Sequence, residues 1–406
     1  KDAGADAWKG EGSAAAGLPE TVFTGYTQMQ GDGKVLAIIQ NGQQVDSAAE
    51  GAEVSVVLDT TPFYGEGGGQ VGDTGVLEAE GVSVDVVDTT KHEGVYLHRA
   101  VVSEGTLNVG DTLTAKVDEH RRTAIMRNHT AAHLLQAALR KVLGSHVEQA
   151  GQLVNERHVR FDFTHFSALT PEELLQVENL VNQEILKAVP VSVQEMGIEE
   201  ARLSGAMALF GEKYGDVVRV VSVEDGFSKE LCGGTHMDNT ARLGLFKILS
   251  ESSVASGVRR IEGVTAMGVL DLLSVQMATL RDSARAMKVI NPMELPLHAQ
   301  QMMAQLKEKD KEIESLNAKL AQNRLDGVFQ NAQEVDGVKV VFALLSGTGS
   351  DALRALCDKA KERPEAIVAV FAGVSGGKAT LAAVCSKEAQ QKGLKAGVLV
   401  KEVAQL

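Results

Sequence analysis

The sequence predicts a multidomain α+β chain: a small β-barrel, a mixed α+β domain, a long helical coiled-coil linker and a small α/β domain. Three observations carry this. Short β-branched runs separated by Gly and Asp turns fill the first hundred or so residues. From Asp118 onward an Ala/Leu-rich helical segment alternates with strand patterns. Beyond about Gly268 a seven-residue apolar repeat runs through Glu- and Lys-rich flanks. At 406 residues the chain exceeds what one core fills, so several domains are expected.

Residues 1–19, Ala/Gly-rich and opening at Lys1, read as a linker or truncated start. The barrel is placed at 20–117 on the runs Lys34-Val-Leu-Ala-Ile-Ile, Glu53-Val-Ser-Val-Val-Leu and Val82-Ser-Val-Asp-Val-Val. Within it lies Thr61-Pro-Phe-Tyr-Gly-Glu-Gly-Gly-Gly-Gln-Val-Gly-Asp73. Its three consecutive glycines make either a bulge or turn, or a loop that lets a ligand approach the backbone. The α+β domain is placed at 118–265: a helix over Thr123–Val142, a strand at Val159-Arg-Phe-Asp-Phe, and a strand at Val217–Val223. Thr170-Pro171-Glu172-Glu173 predicts a capped helix start. Residues 266–330 are read as wholly helical, with Ala299, Leu306, Ile313 and Leu320 on one seam. Residues 331–406 alternate strand and helix, a layered α/β domain cut short inside a last helix.

Composition narrows the function classes. The 44 % hydrophobic and 23 % charged content suits a globular chain. No apolar run approaches the roughly 20 residues that span a bilayer, and no signal peptide opens the chain, so no membrane role is expected. Three widely spaced cysteines give no disulfide framework and point to a reducing cytoplasm. A net charge of −14 argues against generic adhesion to nucleic acid, while leaving room for a focused basic strip. From Gly373 onward five Lys, Lys378 and Lys395 among them, face two Glu, which makes the tail locally basic. That strip is either a solvated face or a phosphate contact.

The chemistry concentrates in two short motifs. Asn128-His129-Thr-Ala-Ala-His133 sits in the predicted helix, where residues four apart share a face. Leu231-Cys232-Gly-Gly-Thr-His236 supplies a thiolate and a third imidazole from elsewhere. Either alone is weak; together they make a soft N/S site suited to Zn2+. Four protein ligands close a tetrahedral zinc, whereas a catalytic zinc keeps one position for water. His236, at the exit of Gly233-Gly234, is expected to be the ligand with most freedom to move. No His-Glu-x-x-His is present, so a metalloprotease loses its general base.

The motifs together resemble the alanyl-tRNA synthetase family, in its carboxy-terminal half. The likeness rests on the Thr61–Asp73 loop, Asn128-His…His133, Arg160-Phe-Asp-Phe, Gly205-Ala-Met-Ala-Leu-Phe-Gly-Glu-Lys-Tyr-Gly215, Glu230-Leu-Cys-Gly-Gly-Thr-His and Gly257-Val-Arg-Arg-Ile-Glu. Free-standing alanyl-tRNA editing proteins share the loop and both metal motifs. The resemblance implies a zinc-dependent deacylase of seryl- or glycyl-tRNA(Ala), with His129, His133, Cys232 and His236 as ligands. It implies that Gly67, Gly68, Gly69 and Gln70 approach the acceptor end of the tRNA, and Arg259 and Arg260 its phosphates. Gln149 and Thr164 are candidates for the aminoacyl group or terminal ribose. Lys378 and Lys395 fit a terminal domain that holds the outer corner of the tRNA and forms a homodimer. No segment resembling the ATP-dependent charging domain is found, so ATP is assigned to a part absent here. The alternative is a non-catalytic module with structural zinc that docks tRNA and dimerises.

Overall fold

The computed structural model describes residues 11–207, 215–330, 332–346, 348–375 and 378–404. The chain forms two compact units, divided between Ala278 and Thr279. In the first, strands β1 (Gln30–Gln40), β2 (Glu53–Leu58), β3 (Gly75–Ala79), β4 (Val82–His92), β5 (Val95–Glu104) and β6 (Thr112–Val117) are antiparallel neighbours in the order β6-β3-β4-β5-β2-β1. β1 pairs back onto β6 from Thr112↔Lys34 to Lys116↔Gln30, closing a six-stranded barrel. Closure leaves those strands without free edges. Alternation places Val35, Val56, Leu58, Leu77, Val84 and Leu113 inside. Within the stretch read as linker or truncated start, Ala14, Ala15 and Leu18 pack on this barrel, and Ala15 is buried in a cluster with Ile39 and Val57.

Helix α1 (Glu119–Leu143) starts four residues before the predicted Thr123, because the Asp118 side chain accepts the Arg121 N–H and caps it. It packs on a sheet built from β7 (Gln149–Val154) and β8 (Val159–Thr164), which follow it directly. Next come α2 (Pro171–Leu186), β9 (Val191–Gly197), β10 (Val217–Val223) and β11 (Lys229–Leu231). β12 (Phe246–Ala255) and β13 (Val258–Thr265) complete the first sheet in the order β7-β8-β13-β12, while β9-β10-β11 form a second. The capping box predicted for α2 is formed: Thr170 and Glu173 each satisfy the other's backbone N–H. Residues 208–214 of the Gly205–Gly215 motif lie outside the described residues.

Two contacts join barrel and α+β part within this unit. Arg122 of α1 is fully buried and donates to the Asp73 carboxylate and to the carbonyls of Gly25 and Pro62. The loop after β2 also runs beside the end of β7: Val154 N–H donates to Gly69 O at 2.7 Å, and Val71 N–H to Val154 O at 3.1 Å. The Gly-rich loop is thereby fixed against the sheet that contains β7.

α3 (Met267–Ala286) and α4 (Leu295–Gln330) are separate helices, so the stretch from 266 to 330 is not wholly helical. Pro292 lacks an N–H to continue a helix, and the Asn291 side chain accepts the Met293 N–H to start a new turn. The predicted seam lies on α4, where Leu306, Ile313 and Leu320 are exposed. In the second unit β14 (Gln333–Val335), β15 (Val338–Ser346), β16 (Ile367–Ser375) and β17 (Lys378–Cys385) form one sheet in that order. α5 (Ser350–Lys361) crosses between the parallel pair β15 and β16 and buries Leu353 and Leu356 against Val341 and Phe371. A short α6 (Ala396–Val403) follows. Among the described residues no helix is long and apolar enough to cross a membrane.

Candidate metal centre

Helix α1 anchors the site. Its buried middle places His129 and His133 one turn apart on one face. The other two donors come from the turn after β11, where Cys232 follows Leu231 and Gly233-Gly234 return the chain to His236. One ligand atom from each of His129, His133, Cys232 and His236 falls in a cluster whose atoms all lie within 4.8 Å of one another. Cys232 Sγ is 3.5 Å from His129 Nε2 and 3.2 Å from His236 Nε2. A tetrahedral zinc with ordinary Zn–N and Zn–S bonds separates its donors by about 3.3–3.6 Å; with these two sulfur–nitrogen distances close to that spacing, the donor set could hold a metal ion.

The electrostatics suit it as well. Burial, helped by Arg219, brings the His133 pKa down to about 3. Burial likewise holds His129 and His236 well below the usual histidine value, with neighbouring imidazoles and Arg219 adding to it. Neutral imidazoles keep the lone pair that a metal needs. Each ring also has a neighbour behind it. His129 Nδ1 is 2.7 Å from Gln70 Oε1, His236 Nδ1 is 3.2 Å from Thr130 Oγ1, and His133 Nδ1 is 3.8 Å from Glu230 Oε2. Burial raises the Glu230 carboxyl to about 8, against the pull of Ser228 and Arg140.

The cysteine turn is held by its carbonyls. Arg219 donates to Cys232 O at 3.0 Å and Gly234 O at 2.7 Å, and Tyr26 Oη donates to Gly233 O at 2.7 Å. The Arg219 guanidinium lies over the Tyr26 ring, 4.0 Å from its centre. Beside the cluster is a cavity of about 270 Å3. Tyr26, Tyr64 and Tyr96 give it aromatic wall, Gly65–Gly68 give it backbone, and Lys91, Gln149 and Gln152 give it polar reach. His133 and Cys232 are the cluster members that face it.

The structure therefore brings together all four motif donors, with Gly67, Gly68 and Gln149 on the cavity. The other expected contacts fall elsewhere. Gln70 is 0 % exposed and behind His129, so it does not face a substrate. Gly69 spends its carbonyl on Val154, and a Cβ there would come within 2.4 Å of the Gln152 side chain. The Thr164 hydroxyl donates to His146 O and accepts from Glu148 N–H, a tie between chain segments. Arg259 Nε lies 2.5 Å from Glu251 Oε1, and Arg260 makes a two-pronged pair with Asp162 at 2.7 and 2.8 Å. Both guanidinium groups are paired with carboxylates of the protein. His236 is buried, with Thr130 Oγ1 3.2 Å from its outer nitrogen. Lys395 is exposed in the second unit, and the side chain of Lys378 lies outside the described residues. Sequence reasoning missed Tyr26, Tyr64, Tyr96, Lys91, Gln152 and Glu230. Tyr64 and Glu230 stand inside the motifs; folding of the barrel segment brings Tyr26, Lys91 and Tyr96 to the cavity, and β7 brings Gln152.

The family described as tRNA synthetases class II (A) matches residues 7–121, which include the barrel. The family described as threonyl and alanyl tRNA synthetase second additional domain matches residues 218–262, which include the cysteine turn. The chain is 48 % identical to an alanine–tRNA ligase of Acetivibrio thermocellus over 95 % of its own length. It is 44 % identical to the alanine–tRNA ligase of Bacillus subtilis and 46 % to that of Pelotomaculum thermopropionicum, again over 95 % of its length. It spans 44 % of the length of each of these relatives.

Proposed function

Because the chain belongs to the alanyl-tRNA synthetase family, we propose that its first unit is an editing hydrolase, corresponding to the carboxy-terminal half of the family. It would cleave the ester of seryl- or glycyl-tRNA(Ala) at a zinc site made by His129, His133, Cys232 and His236. The observation that carries this is the convergence of three neutral imidazoles and a cysteine beside a cavity walled by tyrosines and the Gly67–Gly68 backbone. Bound there, zinc supplies Lewis acidity to an ester carbonyl or to water.

The residues around it do the binding. The exposed edge of the Gly-rich loop admits the acceptor end closely, because Gly67 and Gly68 present no side chain. The tyrosine wall offers faces on which a terminal base can stack. The Gln149 and Gln152 amides offer donors and acceptors for the aminoacyl group and ribose. A charging pocket shaped for alanine cannot strongly reject glycine or serine, so a second site is useful. A second site that hydrogen-bonds the serine hydroxyl spares alanine, which would leave that partner unpaired. On the same reading the second unit, with Lys378 and Lys395, holds the outer corner of the tRNA and carries the homodimer contact. The working compartment is the cytoplasm, where the tRNA is charged.

The test is direct. The purified, zinc-loaded chain is incubated with seryl-tRNA(Ala) and alanyl-tRNA(Ala), beside a Cys232→Ala, His236→Ala variant. The expected result is fast release of serine, sparing of alanine, and loss of activity in the variant. Equal hydrolysis of both esters rejects editing. Binding of tRNA without hydrolysis by the zinc-loaded chain assigns the metal a structural role.

A further inference from the structure

We propose that Gln70, a barrel-loop residue, is a positioning residue of the metal centre: it sets the tautomer of His129 and so directs that ring's Nε2 lone pair into the donor cluster. The inference rests on the metal reading above and goes beyond it, because it makes the barrel part of the metal site.

The argument starts from a backbone group. The Thr235 N–H can only donate, and it lies 2.9 Å from the outer side-chain atom Oε1 of Gln70. That atom must therefore be the amide oxygen. The other end agrees, since Gln70 Nε2 donates to Thr235 Oγ1 at 2.9 Å. Reversing the amide would set its NH2 against the Thr235 backbone N–H and lose that bond, whereas the Thr235 hydroxyl can donate or accept and suits either end. With the oxygen so fixed, His129 Nδ1, 2.7 Å away, has to carry a hydrogen. A neutral imidazole has one N–H, so Nε2 is left bare. Nε2 is the atom 3.5 Å from Cys232 Sγ. Thus Thr235, in the cysteine turn, orients Gln70, and Gln70 orients the first ligand of α1.

The packing leaves little alternative. Gln70 is 0 % exposed. Its neighbours Gly69 and Val71 are both hydrogen-bonded to Val154, which fixes the backbone from which the side chain extends. A Cβ on Gly234 would lie 2.9 Å from Gln70 Oε1, which shows how closely turn and amide meet.

Three proteins test this: the wild-type chain, Gln70→Leu, and Gln70→Glu, which keeps an accepting oxygen. Zinc affinity is measured by competition with a chromophoric chelator, and the thermal transition of each zinc-free protein reports on folding. Loss of an outer partner of a metal-bound histidine lowers metal affinity by about 10- to 100-fold. That loss is expected for Gln70→Leu, with most of the affinity restored in Gln70→Glu. Independently of any variant, the ring-nitrogen NMR spectrum of the zinc-free wild type should show His129 protonated on Nδ1. A zinc-binding wild type whose Gln70→Leu variant binds equally well, or a His129 protonated on Nε2, overturns the inference and leaves the metal reading standing. A wild-type chain that takes up no zinc overturns the metal reading, and this inference with it.

Discussion

At Gly234 the turn has room for a hydrogen and little more: a Cβ there would lie 2.1 Å from His129 Cε1 and 2.4 Å from Nδ1. The neighbouring Gly233 meets nothing within 4 Å. The two glycines should therefore respond differently to the same change. Gly234→Ala is expected to push the turn from α1, weakening zinc binding and costing about 1–3 kcal/mol. Gly233→Ala should leave both nearly unchanged. Chelator competition and urea unfolding on the pair check this; equal effects would contradict it. Sequence alone could see that Gly233-Gly234 separates two ligands. It could not see that one of the two is pressed against the first ligand of the helix, because that distance is created by folding.

A second residue makes a pH prediction. His98 is fully buried in the barrel, with Nδ1 2.8 Å from Val56 O and Nε2 2.7 Å from Thr61 Oγ1. Burial, only partly offset by the Val56 carbonyl, lowers its pKa from 6.5 to about 4. The folded value lies below the unfolded one, so the contribution of neutral His98 is complete above about pH 6.5 and is lost as pH falls towards 4. The full loss is about 3 kcal/mol. Urea midpoints of wild type and His98→Gln, followed from pH 7 to pH 4.5, should converge as pH falls. Parallel curves would show that His98 does not titrate with unfolding.

At the scale of elements, the Arg122–Asp73 pair joins α1 to the barrel. Arg122 also caps two barrel carbonyls, so its removal strands a buried carboxylate and two acceptors. Arg122→Met is expected to cost about 3–5 kcal/mol, measured as a fall in urea midpoint. A change under about 1 kcal/mol, typical of exposed pairs, would contradict the reading of this pair as buried and fully engaged. The elements themselves were largely legible. The capping box at Thr170, the strands of the barrel and the helix carrying His129 and His133 each have a local signal. The break at Pro292 also had one, and the seven-residue repeat that begins at Ala299 masked it. The fates of Arg259 and Arg260 were not legible. Whether an arginine meets a phosphate or a carboxylate depends on which strand lies beside it, and β8 and β12 bring Asp162 and Glu251 to these two.

Across the whole molecule, the acidic chain carries its chemistry in the first unit and its locally basic tail in the second. The centre draws on residues far apart in sequence: His129 and His133 from a helix, Cys232 and His236 from a turn, and Gln70 from a barrel loop. The spacing of the two motifs made the first four readable. The fifth was read as a substrate contact, because a Gly-rich loop signals close approach without saying what approaches. The family relationship accounts for the pairing of barrel and metal turn in one chain, and the packing accounts for how each supports the other.

The most direct test of the account is zinc K-edge X-ray absorption on the purified, zinc-loaded chain. It should show one zinc per chain with a single sulfur at about 2.3 Å and nitrogen donors near 2.0–2.1 Å, the sulfur disappearing in Cys232→Ala. A shell without sulfur, or an ion retained unchanged in that variant, would mean that these four residues are not the metal centre.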